Sequence, residues 1–166
     1  MLKLASLMLA LTATQLLADI TVQFDEGAPK DRFTLTNAGA CTLPAVTVTL
    51  DIGMAPAGLI FDVTGTGAGV QVFQPFDLVQ GAALLGSAPV VRDGDSVIEL
   101  PLTGLDVGES VAFTIDVDDT GTHRQTVVSG SEMSGAEVRI TMAGQQMRGV
   151  FGDTATARVP TAACTS

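Results

Sequence analysis

The chain has 166 residues, 46% of them hydrophobic, with 18 acidic against 8 basic side chains and a net charge of −10. A surface of that sign repels nucleic acid and anionic lipid and draws divalent cations, which argues against a nucleic-acid partner. The apolar content argues against disorder, and the length fits one domain of ordinary size.

The first 18 residues, MLKLASLMLALTATQLLA, have a basic start at Lys3, an apolar run from Leu4 to Ala13 and a terminal Ala18. That is the layout of a secretory signal peptide, although Leu16 sits where a small residue is preferred. Cleavage before Asp19 leaves residues 19–166 as one exported domain, periplasmic or extracellular. Loss of Lys3 takes its net charge to −11. The apolar run falls short of the ~20 residues that span a bilayer, so no transmembrane anchor is expected in the mature chain. In an oxidising compartment Cys41 and Cys164 are expected to form one disulfide. Closing so long a loop stabilises by about 4–5 kcal/mol in the chain-entropy model.

Beyond the leader the hydrophobic period is two. ITVQF (20–24) alternates and DEGAPKD breaks it; RFTLTN (32–37) alternates and stops at AGAC. VTVTLDI (46–52) puts Val46, Val48, Leu50 and Ile52 on one face and Thr47, Thr49 and Asp51 on the other. GLIFDV (58–63) and VQVF (70–73) flank a glycine-rich turn, and PFDLVQGAALLGS offers at most a turn of helix. SVIEL (96–100), VAFTIDV (111–117), AEVRITM (136–142), MRGVF (147–151) and a last strand over 155–159 complete the series. The prediction is an all-β chain, a single antiparallel β-sandwich of about eight to ten strands.

Catalysis finds little support in these residues. His123 is the one histidine, no G-x-S-x-G elbow occurs, and neither cysteine has a local partner for a thiolate mechanism. Trp and Tyr are absent, so a sugar ring would find only Phe as a platform. The chain is read as non-enzymatic.

The acids are more informative. In FTIDVDDTGTH, Asp116, Asp118 and Asp119 lie within four residues, and their mutual repulsion calls for water, salt or a cation. Hard cations such as Ca²⁺ take six to eight oxygen ligands. DVDDTG resembles the start of an EF-hand loop, but Val127 stands where its twelfth-position Glu belongs and no helices flank it. A sandwich can instead build a site from end loops. Asp116 and Asp118 share a strand face, Asp119 lies at the exit, and Glu132 joins if its loop folds back. Ca²⁺ at Asp116, Asp118, Asp119 and Glu132 is one reading; a solvated acidic loop is the other. Asp93 and Asp95 in RDGDS read as a hairpin turn. Glu26 and Asp31 around Lys30 and Arg32 read as local surface ion pairs, worth under ~1 kcal/mol.

Three stretches carry a family resemblance: EGAPKDRFTLTNAGAC (26–41), AGLIFDVTGTGAGVQVFQPF (57–76) and FTIDVDDTGTH with SGSEMSGAEV (113–138). Together they resemble the small secreted bacterial aggregation factor core proteins, named for similarity to the sponge aggregation factor core. The resemblance implies an extracellular adhesion or matrix role, calcium-dependent, against a protein or glycan surface. A single domain cross-links only by oligomerising or presenting two faces. The alternative is a periplasmic structural or protein-interaction domain without bound metal, whose strand edges pair with another chain.

Overall fold

The structure, a computed structural model, describes residues 17–65, 73–121 and 127–163. The described residues form eleven strands, one or more beyond the eight to ten expected. They are β1 (Leu17–Asp25), β2 (Asp31–Asn37), β3 (Val46–Asp51), β4 (Leu59–Phe61), β5 (Asp77–Gln80), β6 (Val97–Leu102), β7 (Ser110–Ile115), β8 (Val117–Asp119), β9 (Glu137–Met142), β10 (Gln145–Val150) and β11 (Thr156–Ala163). A five-stranded sheet runs β11-β1-β2-β7-β5, a four-stranded sheet runs β10-β9-β3-β6, and β4 pairs with β8 alone. Every pairing is antiparallel, so the chain is all-β and sandwich-like.

The alternation explains the layers. Ile20, Val22 and Phe24 of β1, Phe33 and Leu35 of β2, and Val111, Phe113 and Ile115 of β7 face inward. They meet Val46, Val48 and Leu50 of β3, Ile98, Leu100 and Leu102 of β6, and Val138 and Ile140 of β9 in one buried cluster. Residues between them, such as Thr47 and Arg139, face outward on the pleat. The β9–β10 connection is a two-residue hairpin, Ala143-Gly144, with both φ angles positive (49° and 78°), matching the twist of the flanking strands.

Register also aligns the aromatic side chains. Phe24 pairs with Phe33 and Phe33 with Phe113, so three rings lie in one row across β1, β2 and β7. Successive ring centroids are 5.1 and 5.2 Å apart, and Phe76 adds a fourth ring 5.1 Å from Phe113. Two residues beyond that row, on the same face, stand Asp31 and its cross-strand partner Ile115. There the core ends in acid.

Two local expectations change. PFDLVQGAALLGS supplies the edge strand β5 and a turn, not helix, because Asp77 and Leu78 pair with Thr114 and Phe113 of β7. Val111–Val117 is not one strand: β7 stops at Ile115, Asp116 lies outside both strands, and β8 pairs with β4. β1 begins at Leu17, two residues before Asp19, and pairs there with Ala163 of β11. Cys41 packs partly buried against the core, with its carbonyl accepting from Asn37 Nδ2 at 2.8 Å. Its expected partner, Cys164, lies outside the described residues, as does residue 70–72 of the strand expected over 70–73. Among the described residues no helix is long and apolar enough to cross a membrane.

Candidate metal centre

The break after β7 makes the site. Asp116 has its N–H donated to Gln74 O (3.2 Å), while its own carbonyl accepts from Asp62 N–H (3.1 Å). Gln74 N–H closes the circuit on Asp62 O at 3.1 Å. This backbone link brings the residue after β4 beside the residue after β7. The pleat then returns Asp118, two residues on, to the side of Asp116.

Asp62, Asp116 and Asp118 each present a carboxylate oxygen, and the three oxygens lie within 4.8 Å of one another. The residues are only 3%, 5% and 1% exposed. Asp62 Oδ1 and Asp116 Oδ2 are buried with no hydrogen-bond partner among the described residues. At an effective dielectric near 20, two charges at such separations repel by roughly 3 kcal/mol. Buried carboxylates in this position hold protons or take a cation.

The protonation shifts follow that logic. Burial pushes Asp116 up to about 7, and the charges of Asp118, Asp31 and Asp62 push the same way. Burial takes Asp62 to about 6, helped by the hydrogen bond that its protonated carboxyl donates to Asp93 and by the Asp93 charge. Asp31 also rises to about 7 through burial, although the N–H groups of Gly27 and Val117 stabilise its charged form. Among the described residues, the charged neighbours that shift these three groups are acids.

The expected ligands divide. Asp116 and Asp118 are in the cluster; Asp119 and Glu132 are spent elsewhere. Asp119, on the opposite side of the pleat from Asp118, accepts from Gly121 N–H at 2.8 Å through Oδ1. Glu132 Oε2 accepts from the N–H and the hydroxyl of Ser129, both at 2.7 Å, and so braces its own turn. His123 lies outside the described residues.

Sequence reasoning missed Asp62, Asp31 and the second role of Asp93. Asp62 is a single acid in IFDVT, more than fifty residues from Asp116, and only the fold joins them. Asp31 carried a signal: it extends the inward column of Phe33 and Leu35, where an apolar residue belongs. It does not pair locally; Lys30 instead reaches Asp77, at 3.3 Å. Asp95 Oδ2 does brace its turn, through Arg92 N–H at 2.7 Å. Asp93 Oδ1 accepts from Val63 and Thr64 N–H at 3.1 and 3.2 Å, beside Asp62.

Oxygen-only donors of this kind suit a hard cation such as Ca²⁺ better than zinc, which favours His and Cys. Carbonyls and water would complete the six to eight oxygens that Ca²⁺ takes. No family model matches the chain, and neither a curated protein nor a solved structure matches it.

Proposed function

We propose that the chain is an exported, non-catalytic binding domain of the adhesion or matrix type whose folded end is held together by Ca²⁺ at Asp62, Asp116 and Asp118. One observation carries the ion: among the described residues, two buried carboxylate oxygens lack a partner beside a third acid. Burial of all three ligands favours an ion that stiffens the fold over one that bridges directly to a partner surface. Adhesion rests on the resemblance in the three stretches named above. The Cys41–Cys164 disulfide and export belong to the same proposal.

Thermal unfolding in calcium and in chelator tests the ion. Calcium at a hundred times its dissociation constant adds about 2.7 kcal/mol. For a domain this size that raises Tm by roughly 5–10 °C. Identical curves in calcium and chelator would remove the ion from the proposal. Beads coated with the protein test adhesion. Clumping in calcium that disperses in chelator supports it; beads dispersed in both reject it and leave the ion standing.

One observation favours the metal-free interaction domain. β5 is an edge strand of the five-stranded sheet, and its Val79 is 44% exposed. A stable oligomer indifferent to chelator would select that reading.

A further inference from the structure

We propose that Asp31 and Asp93 are positioning residues for the cation, an outer pair that fixes the backbone carrying the three inner carboxylates; this rests on the calcium reading above. The inner ligands come from two segments, and each has a backbone N–H beside it held by a carboxylate from another part of the chain. Val117 lies between Asp116 and Asp118, and its N–H donates to Asp31 Oδ2 at 3.0 Å. The other oxygen of Asp31 accepts from Gly27 N–H at 3.0 Å, which ties that anchor into the β1–β2 loop. On the other side, Asp62 is followed by Val63 and Thr64, whose N–H groups both donate to Asp93 Oδ1. Before an ion enters, protonated Asp62 also donates a hydrogen bond to the Asp93 side chain.

The arrangement answers a physical difficulty. Inner carboxylates that ionise to receive a cation repel one another, and segments free to move would part. An outer acceptor on the adjoining N–H holds each segment where the ion needs it, so less ordering remains for binding to impose. Asp31, 2% exposed, spends one oxygen on each of two N–H groups. Asp93 spends one oxygen on two N–H groups. That difference separates positioning from charge.

The test is calorimetric titration of the full chain with calcium chloride. Wild type is expected to take one ion at this site. Asp93→Ala and Asp31→Ala should still take one, with affinity lower by roughly 10–100-fold, as is usual when a supporting group behind a metal ligand is lost. Asp93→Asn should return close to wild type, because an amide oxygen can accept both N–H groups while its NH₂ faces Asp62. Asp31→Asn should recover less, since an amide offers one acceptor oxygen where two are used. Should Asp31→Ala fail to fold, the two Asp93 variants carry the comparison. If Asp93→Asn binds as weakly as Asp93→Ala, the carboxylate acts by charge or direct ligation and the inference is overturned. It is equally overturned if the alanine variants lower Tm in chelator yet bind calcium like wild type. Wild type that takes no calcium is a separate result, visible without any variant, and sinks the calcium reading together with this one.

Discussion

Two regions of this domain hold carboxylates out of water, and they compensate the charge differently. On the outer face of the four-stranded sheet Glu137 is 8% exposed, yet it sits between two guanidinium groups, Arg139 Nη1 at 3.1 Å and Arg148 Nη1 at 3.2 Å. Arg139 reaches on to Asp51 at 3.4 Å. The acids at the end of the sandwich are buried as deeply, and the charges that shift Asp31, Asp62 and Asp116 are those of other acids. In one region arginines of the chain lie on the acid; in the other, among the described residues, the neighbouring charges are acids, which protons or a cation would compensate. A buried acid by itself therefore says little. What surrounds it decides whether it is architecture or a site.

The largest effect expected from breaking this contrast comes from Asp118→Asn, with a sign that depends on the ion. In saturating calcium the variant should lose the ~2.7 kcal/mol that the ion adds. In chelator it should be the more stable protein, by about 1 kcal/mol, because the Asp118 charge no longer opposes ionisation of Asp116, Asp31 and Asp62. Denaturant melts of both proteins in both buffers check the crossing. A variant less stable under both conditions would mean that Asp118 is structural.

The next effect is in pH. Asp31, Asp62 and Asp116 have folded values of about 7, 6 and 7, above their ordinary carboxyl range. Between roughly pH 4 and 7 the folded state thus binds more protons than the unfolded state. Stability in chelator is then fullest below pH ~4 and falls as pH rises through 6 to 7. The slope is about 1.4 kcal/mol per pH unit for each proton retained. Calcium, which needs the ionised carboxylates, should offset the loss at the upper end. Urea midpoints from pH 4 to 8, with and without calcium, would show it; a chelated protein that gains stability over that range contradicts the picture.

The smallest effect is expected at the self-compensated face. Glu137→Gln removes the acid that Arg139 and Arg148 share, leaving Arg139 with Asp51. With Arg148 largely exposed, the loss should be about 1 kcal/mol, and Tm should fall by roughly 2–4 °C equally in calcium and chelator. A calcium-dependent loss would mean that the two regions are coupled.

Much of the fold can be read from the alternation of residues such as Val46, Val48 and Leu50, since period two and one buried face leave little choice of register. β5 cannot, because its four residues are mostly exposed and only pairing with β7 makes them a strand. Two of the three clustered acids were legible for the same reason: Asp116 and Asp118 are two residues apart, and Asp119 is one residue off their face. Proximity in sequence misled at Asp119 and Glu132, whose oxygens answer nearby N–H and hydroxyl groups. Asp62 was hidden because what brings it to Asp116 is a backbone hydrogen bond between distant segments.

The scatter of the acids along the chain also bears on kinetics. Residues 31, 62, 93, 116 and 118 come together only when β2, β4, β7 and β8 are all in place. An ion held there meets no site in the extended chain and little of one before the long loops have closed. It therefore acts after the folding barrier, as a brake on unfolding that leaves the speed of folding nearly unchanged. With an ion bound there, the domain would unfold more slowly in calcium than in chelator while folding at nearly the same speed.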